Sequence, residues 1–237
     1  MKHKWIIAGV LLAVACGAWA QPAPPEHVLV SKEDGRFAGW PANNGMWIWG
    51  DEIVVGFMQG YFKFFDANEH AQDPEKPSIP MFARSLDGGK TWKVERASFL
   101  DEEGKEKAPV PQTKPADFTH PDFAMRLRMN TTPPGNSRIY YSYDRAKTWE
   151  GPYALPLFDQ PRIMARTDYI VDGPQSATAF ITAAKQNRQE GRVFCTRTTD
   201  GGVTWEWVSW VTPEPTGFSI MPASVRISEQ EIYSTIR

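Results

Sequence analysis

The chain has 237 residues, 41% of them hydrophobic and 23% charged, with a formal net charge of −2. That apolar share is enough to bury a core and excludes a disordered chain. The near-neutral charge provides no footprint for nucleic acid and no attraction to a strongly charged membrane surface.

At the N-terminus, Lys2, His3 and Lys4 precede an apolar run from Trp5 to about Ala15, and Ala18-Trp19-Ala20 follows before Gln21. A charged start, a short apolar stretch and a small-x-small site together form a secretory signal. The run is too short to span a bilayer as a helix. Residues 1–20 are therefore read as a signal peptide cleaved after Ala20, and the protein as secreted or periplasmic. Ala13-Val14-Ala15-Cys16 resembles a bacterial lipobox and offers lipid anchoring at Cys16 as the alternative. Simple secretion leaves Cys195 as the remaining cysteine, so no internal disulfide is expected. Cys195 lies in an alternating, strand-like stretch and reads as buried filler.

Residues 21–36 form a Pro-rich lead-in, and from residue 37 onward the chain reads as all-β. The first unit, 37–99, has strands over 46–49 and 52–57 around a Gly50-Asp51 turn. A long loop follows at 59–74, and the unit ends in Ser85-Leu86-Asp87-Gly88-Gly89-Lys90-Thr91-Trp92. Residues 100–115, charged and Pro-rich, read as a connecting loop. The second unit, 117–153, has strands over 123–129 and 137–142 and then Ser142-Tyr143-Asp144-Arg145-Ala146-Lys147-Thr148-Trp149. The third, 161–211, has strands over 167–171, 178–182 and 192–196 and then Thr198-Thr199-Asp200-Gly201-Gly202-Val203-Thr204-Trp205. A fourth, 218–237, opens with strands over 224–227 and 231–236.

The three octapeptides share the form S/T-x-D-x-x-x-T-W and begin at residues 85, 142 and 198, spacings of 57 and 56 residues. A constant period of this size signals a stacked supersecondary unit and suits a four-stranded propeller blade. The chemistry is that of a turn between two strands. The Asp accepts hydrogen bonds from amides a few residues on, and Gly-Gly admits positive φ. The Trp that follows supplies a large, stiff apolar surface to pack between neighbouring units. In the middle copy Arg145-Ala146 replaces Gly-Gly, which makes that turn more demanding.

On these residues the chain resembles the Asp-box, or bacterial neuraminidase repeat, proteins of the sialidase superfamily. The resemblance implies a sialidase-type six-bladed β-propeller. Six blades of about 56 residues need on the order of 340 residues, so this chain would cover about three and a half blades of a longer product. Association of two copies is the alternative. In that family the boxes are structural, which assigns Asp87, Trp92, Asp144, Trp149, Asp200 and Trp205 to the scaffold.

The resemblance also implies a site in which arginines bind a substrate carboxylate, with a Tyr-Glu nucleophile and an Asp acid/base. The family's first arginine stands in an F/Y-R-I-P motif. Here that phase holds Phe37-Ala38-Gly39-Trp40-Pro41, with Arg36 out of register, which shifts the expected substrate from sialate toward another anionic or unusual glycan. The matching acid/base loop is 59–74, where His70 and Asp73 are the candidates and Asp66 stands behind them. His120 and Asp122 precede an inner strand and form a second acid/base pair. Arg36, Arg126, Arg166 and Arg237, with Asp168 beside Arg166, are the candidates for substrate binding, and Trp40 for stacking on a sugar. Each has a plainer reading as a solvated or snorkelling surface group. No metal-ligand spacing, phosphate-cradling loop or nucleophile elbow is present, so no cofactor is expected. The function expected is a secreted sialidase-like glycoside hydrolase. A non-catalytic glycan- or protein-binding propeller, or a polysaccharide lyase on the same scaffold, is the alternative.

Overall fold

The computed structural model describes residues 25–67, 69–129, 137–185 and 191–237. The signal peptide, Cys16 and the start of the Pro-rich lead-in lie outside the described residues. Strand β1 (Arg36–Gly39) leads through a one-turn helix, α1 (Pro41–Asn44), to β2 (Met46–Trp49), then β3 (Glu52–Tyr61), β4 (Ile79–Ser85) and β5 (Lys93–Arg96). These make one sheet in the order β1-β3-β4-β5, with β2 also paired to β3. A three-stranded sheet follows, β6 (Ala124–Arg128), β7 (Arg138–Ser142) and β8 (Glu150–Ala154). The third sheet holds β9 (Ile163–Met164), β10 (Tyr169–Gly173), β11 (Ser176–Ala184), β12 (Gly191–Thr198) and β13 (Glu206–Trp210). The last is the hairpin of β14 (Ala223–Arg226) and β15 (Ile232–Thr235). The described residues are thus all-β apart from α1, and every strand pairing within these sheets is antiparallel.

The first and third sheets share one construction that positions the site. In the first, β1 and β2 lie end to end along β3, with Gly39 opposite Met58 and Met46 opposite Val55. In the third, β9 and β10 lie end to end along β11, with Met164 opposite Thr182 and Tyr169 opposite Ala179. Each edge strand is therefore broken once, and the break is where side chains leave the sheet. The first break follows from its sequence. Pro41 cannot donate to a ladder, and Trp40 and Gly45 on either side of α1 take positive φ of 56° and 88°.

Period-2 alternation in the second sheet explains two cores. Met125, Leu127, Ile139 and Tyr141 face the third sheet, where they meet Ala177, Ala179, Ile181 and Phe194. Ala124 faces the first sheet beside Trp47, Val54 and Phe82. Arg126, Arg138 and Tyr140 share that alternation. The interface between the first two sheets therefore contains a buried polar stripe.

All three octapeptides form the same turn. Asp87 Oδ1 accepts from Lys90 N at 3.0 Å and Thr91 N at 2.9 Å, and Oδ2 accepts from the Thr91 hydroxyl at 2.6 Å. Asp144 repeats the set with Lys147 and Thr148, and Asp200 binds Thr204 through both its amide and its hydroxyl. The indoles do what the pattern implies. Trp149 stacks on Phe82 of the first sheet at 5.6 Å and 15°, and Trp205 is buried in the core between the second and third. Trp92 is only half-buried, with its Nε1–H donating to Gly89 O.

The middle turn departs in an informative way. Arg145 and Ala146 hold φ of 60° and 61°, a conformation that costs a non-glycine residue about 1–2 kcal/mol. The arginine is used in return. Its Nε donates to Asp122 at 2.6 Å and its Nη1 to Glu52 at 3.0 Å, while Arg84 donates to both Glu52 and Arg145 O. Burial raises the Glu52 carboxyl, but Arg145 and Arg84 outweigh it and hold the group below its ordinary value. The exception to Gly-Gly is a cross-link between two sheets.

The turn chemistry makes a pH prediction. The Thr91 hydroxyl and amide, with Ser85, pull the Asp87 carboxyl down to about 2. A depressed acid stabilises the fold above its unfolded value near 3.9 and loses that contribution as pH falls through its folded value. Carboxyl-carbon NMR should show Asp87 titrating near pH 2. A midpoint near 4 would show that the turn network does not hold in solution.

Candidate functional site

A cavity of about 440 Å³ opens where the two broken edge strands approach each other. It lies at the end of the sheets opposite the box turns. In the first sheet the box follows Ser85, which pairs with Ile53, whereas the cavity is lined by Met58 and Ser78 beside the Gln59–Ile79 end. In the second, the box begins at Ser142 opposite Ala124, and the cavity meets Arg128 at the far end of β6.

The two breaks supply the polar groups. Asn43 and Asn44 come from the first and Arg166 from the second. Arg166 is 6% exposed. Its Nε donates to Asn43 Oδ1 at 2.8 Å, and its Nη1 to Met164 O at 3.3 Å and Thr182 Oγ1 at 3.4 Å. Among the described residues its Nη2 has no hydrogen-bond partner. Burial, helped by the charge of Arg237, pulls this guanidinium below its ordinary value, which marks a cation short of compensation.

Arg128 is held from behind. Its Nε donates to Glu106 Oε1 at 2.6 Å, and its Nη1 reaches Met58 Sδ and Asn44 Oδ1 at 3.5 Å each. Glu106 Oε2 accepts from the Tyr140 hydroxyl at 2.6 Å and from Arg138 at 3.1 Å. Burial raises the Glu106 carboxyl, but Arg128, Tyr140 and Arg138 together outweigh it. Glu106 is thus a carboxylate supplied by the 100–115 segment to the buried stripe of the second sheet. Arg126 lies beneath the cavity, fully buried, with Nη2 donating to Asn44 Oδ1 at 2.6 Å. Its remaining charge rests between the faces of Phe82 and Phe99, 5.0 and 4.8 Å from their centroids. Burial pushes it down to about 9, still a cation at neutral pH.

Trp40 adds the apolar wall. Its ring lines the cavity and meets His70 edge-on at 5.3 Å. Met58, Met129 and Met221 line it as well, and the Arg237 guanidinium donates to Met221 Sδ at 3.6 Å. Among the described residues no Asp or Glu lines this cavity, and no group of three or more His, Cys, Asp and Glu side chains could hold a metal ion.

The structure divides the candidates read from sequence into groups. Trp40 and Arg166 line the cavity, with Arg126 beneath and Arg237 beside it. His70 and Asp73 stand on the loop that borders it. Asp73 is 6% exposed, accepts from Glu75 N at 3.2 Å, and pairs with Lys63 and Lys76 at 3.8 Å each. His120 and Asp122 lie at the opposite, box-turn end, where His120 Nδ1 accepts from Asp122 N and Asp122 is bound by Arg145. Arg36 donates to Gln59 Oε1 at 3.3 Å and covers the ring of Tyr61. Asp168 does not pair with Arg166; it accepts from Ser224 N at 3.0 Å and Ser224 Oγ at 2.8 Å, tying β14 to the third sheet. Burial raises its carboxyl, and the two Ser224 bonds offset part of that. Cys195 is half-buried with its thiol pushed up to about 11 by burial, an unreactive setting.

Asn43, Asn44, Gln72 and Glu106 were not singled out from sequence. The Pro41-Ala42-Asn43-Asn44-Gly45 run carries a turn signal inside a strand pattern and could have flagged the first two. Nothing local marks Glu106, whose partners lie 22 to 34 residues away.

The fold and site together define an all-β protein of successive antiparallel sheets with Asp-box turns at one end and a cationic, aromatic-walled cavity at the other. No family model matches the chain, and no curated protein matches it. Among solved structures, a protein of unknown function from Dyadobacter fermentans superposes with a TM-score of 0.59 at 13% identity, over 90% of this chain and 60% of that one. A Trypanosoma rangeli sialidase gives a TM-score of 0.41 at 14% identity, over 82% of this chain and 34% of that one. The first likeness shows a shared fold. The chain spans less than two thirds of the first neighbour's length and about one third of the second's. Among the described residues no helix is long and apolar enough to cross a membrane.

Proposed function

We propose that the four sheets are successive blades of a sialidase-type, six-bladed propeller, and that the cavity captures the carboxylate of an acidic sugar for a secreted glycan-active protein. The three in-phase boxes support the superfamily, and the Lys-flanked apolar leader supports export. The observation that carries the ligand class is Arg166, a buried guanidinium that lines the cavity, is fixed by Asn43 and has an Nη2 without a hydrogen-bond partner among the described residues. A carboxylate accepts charge-assisted hydrogen bonds from such a guanidinium nitrogen, and the low dielectric around a buried one strengthens that attraction. Trp40, which lines the same cavity, supplies a face for the C–H side of a pyranose ring.

Capture is supported more directly than cleavage. Hydrolysis through Asp73 needs that carboxylate released from Lys63 and Lys76 and turned to the ligand. The test is calorimetric titration with sialate, glucuronate and galacturonate against galactose and glucose, alongside an assay for released sugar from acidic polysaccharides. At least one acidic sugar should bind, more weakly as salt rises, with no response to its neutral counterpart. Equal binding of acidic and neutral sugars, or none of either, would overturn the reading. Released product would add hydrolysis or elimination to it.

A further inference from the structure

The loop joining β3 to β4 presents an apolar surface that the cavity does not use. Phe62, Phe64 and Phe65 are 54%, 67% and 39% exposed, a concentration of wet aromatic area that a folded protein retains where something binds. The loop is braced. Phe62 bridges to Gln72 across it, Lys63 N donates to Ala71 O at 3.3 Å, and Asp73 N donates to Tyr61 O at 2.8 Å. The buried Asp73 carboxylate, between Lys63 and Lys76, clamps the far side. Cations sit on the rings: Lys63 lies 5.2 Å from the Phe65 centroid, and Lys76 lies 5.0 Å from that of Tyr61. The same loop reaches the cavity, because Gln72, bridged to Phe62, lines the cavity and His70 meets Trp40.

Resting on the reading of the cavity as an acidic-sugar site, we propose that this aromatic strip is a second subsite, holding the neutral sugar residues next to the acidic one. The ligand is then an oligosaccharide or glycan chain rather than a free acidic monosaccharide. Phenyl rings offer the flat, apolar faces on which pyranose C–H groups stack, with few torsions to immobilise. The lysines of the strip are matched by Asp73 and Glu75, so its charge is largely balanced. That suits a neutral ring, while the uncompensated cation stands in the cavity at Arg166.

The experiment titrates the full chain with sialate and with glucuronate, each as the free monosaccharide and as the terminal residue of a trisaccharide with two neutral sugars. Wild type is compared with a Phe64→Ala/Phe65→Ala variant, whose exposed positions leave the core untouched. For the acid that binds, the trisaccharide should bind about tenfold more tightly than the monosaccharide. The double substitution should remove that gain and leave monosaccharide affinity unchanged. Equal affinities in wild type, or a gain that survives the double substitution, would overturn the subsite and leave the cavity reading standing. No binding of either form overturns both. A concentration-dependent dimer in sedimentation velocity that the double substitution abolishes would give the strip to a second copy of the chain and overturn the proposal.

Discussion

Replacing Gly202 by Ala is expected to cost about 4 kcal/mol of stability, whereas Gly89→Ala at the equivalent position of the first box should cost about 1–2 kcal/mol. The two glycines have nearly the same backbone, φ 88° and 90°, so the conformational penalty is shared. Their surroundings differ. A methyl group on Gly202 would stand 2.2 Å from Tyr141 Oη and 2.9 Å from Gln112 Oε1, while one on Gly89 meets nothing closer than 3.6 Å. Tyr141 is 1% exposed and donates to Gln112, which in turn donates to Gly201 O. The added methyl therefore displaces a buried hydrogen-bonded pair, leaving polar atoms short of partners. Urea unfolding followed by tryptophan fluorescence reads the difference. Equal losses for the two variants would mean that the third turn is not seated against the second sheet as described. The middle turn is the natural control, since Arg145 and Ala146 already hold this conformation where space permits.

Arg166→Met should lower affinity for the acidic sugar by roughly a hundredfold, the scale of a lost charge-assisted pair, while the fold survives. Methionine keeps an unbranched apolar stem and removes the guanidinium, with its bonds to Asn43 and Thr182. Arg166→Lys should fall between the two, because an ammonium keeps the charge but loses the planar guanidinium whose Nε is fixed by Asn43. Calorimetry on the three proteins at two salt concentrations decides the matter. Unchanged affinity in the methionine variant, with an unchanged far-ultraviolet spectrum, would move the carboxylate site away from Arg166, and Arg128 would then be its first alternative. Wild type and the lysine variant should both lose affinity with salt more steeply than the methionine variant, because only they carry a cation at this position.

Local chemistry carried a large part of this protein in readable form. The S/T-x-D-x-x-x-T-W octapeptides marked the turns, because an aspartate can satisfy the amides and hydroxyl a few residues away without help from the rest of the fold. The β2–β3 hairpin around Gly50-Asp51 and the buried strand β11 were legible for the same reason, since alternation and turn residues act over a handful of positions. Trp40 and Arg166 could be picked out as candidate binding groups. Their meeting in one cavity could not, nor could the fate of Asp73, whose carboxylate is clamped by two lysines.

What only the tertiary structure decided is which side chains share a space. Asn43 reaches Arg166 across 123 residues, and Arg126 reaches Asn44 across 82. His120 and Asp122, which sequence order puts just ahead of an inner strand, end up beside the box turn through Arg145. Glu106, from an unremarkable connecting segment, becomes the carboxylate that binds Arg128, Arg138 and Tyr140. The sequence by itself therefore determined many of the strands, the turns and their repeat, which depend on neighbours along the chain, but not the short edge strands β1 and β9. The sheet-to-sheet packing determined the site, because the direction in which an edge strand breaks and the charges it then meets are set by residues far away in the sequence.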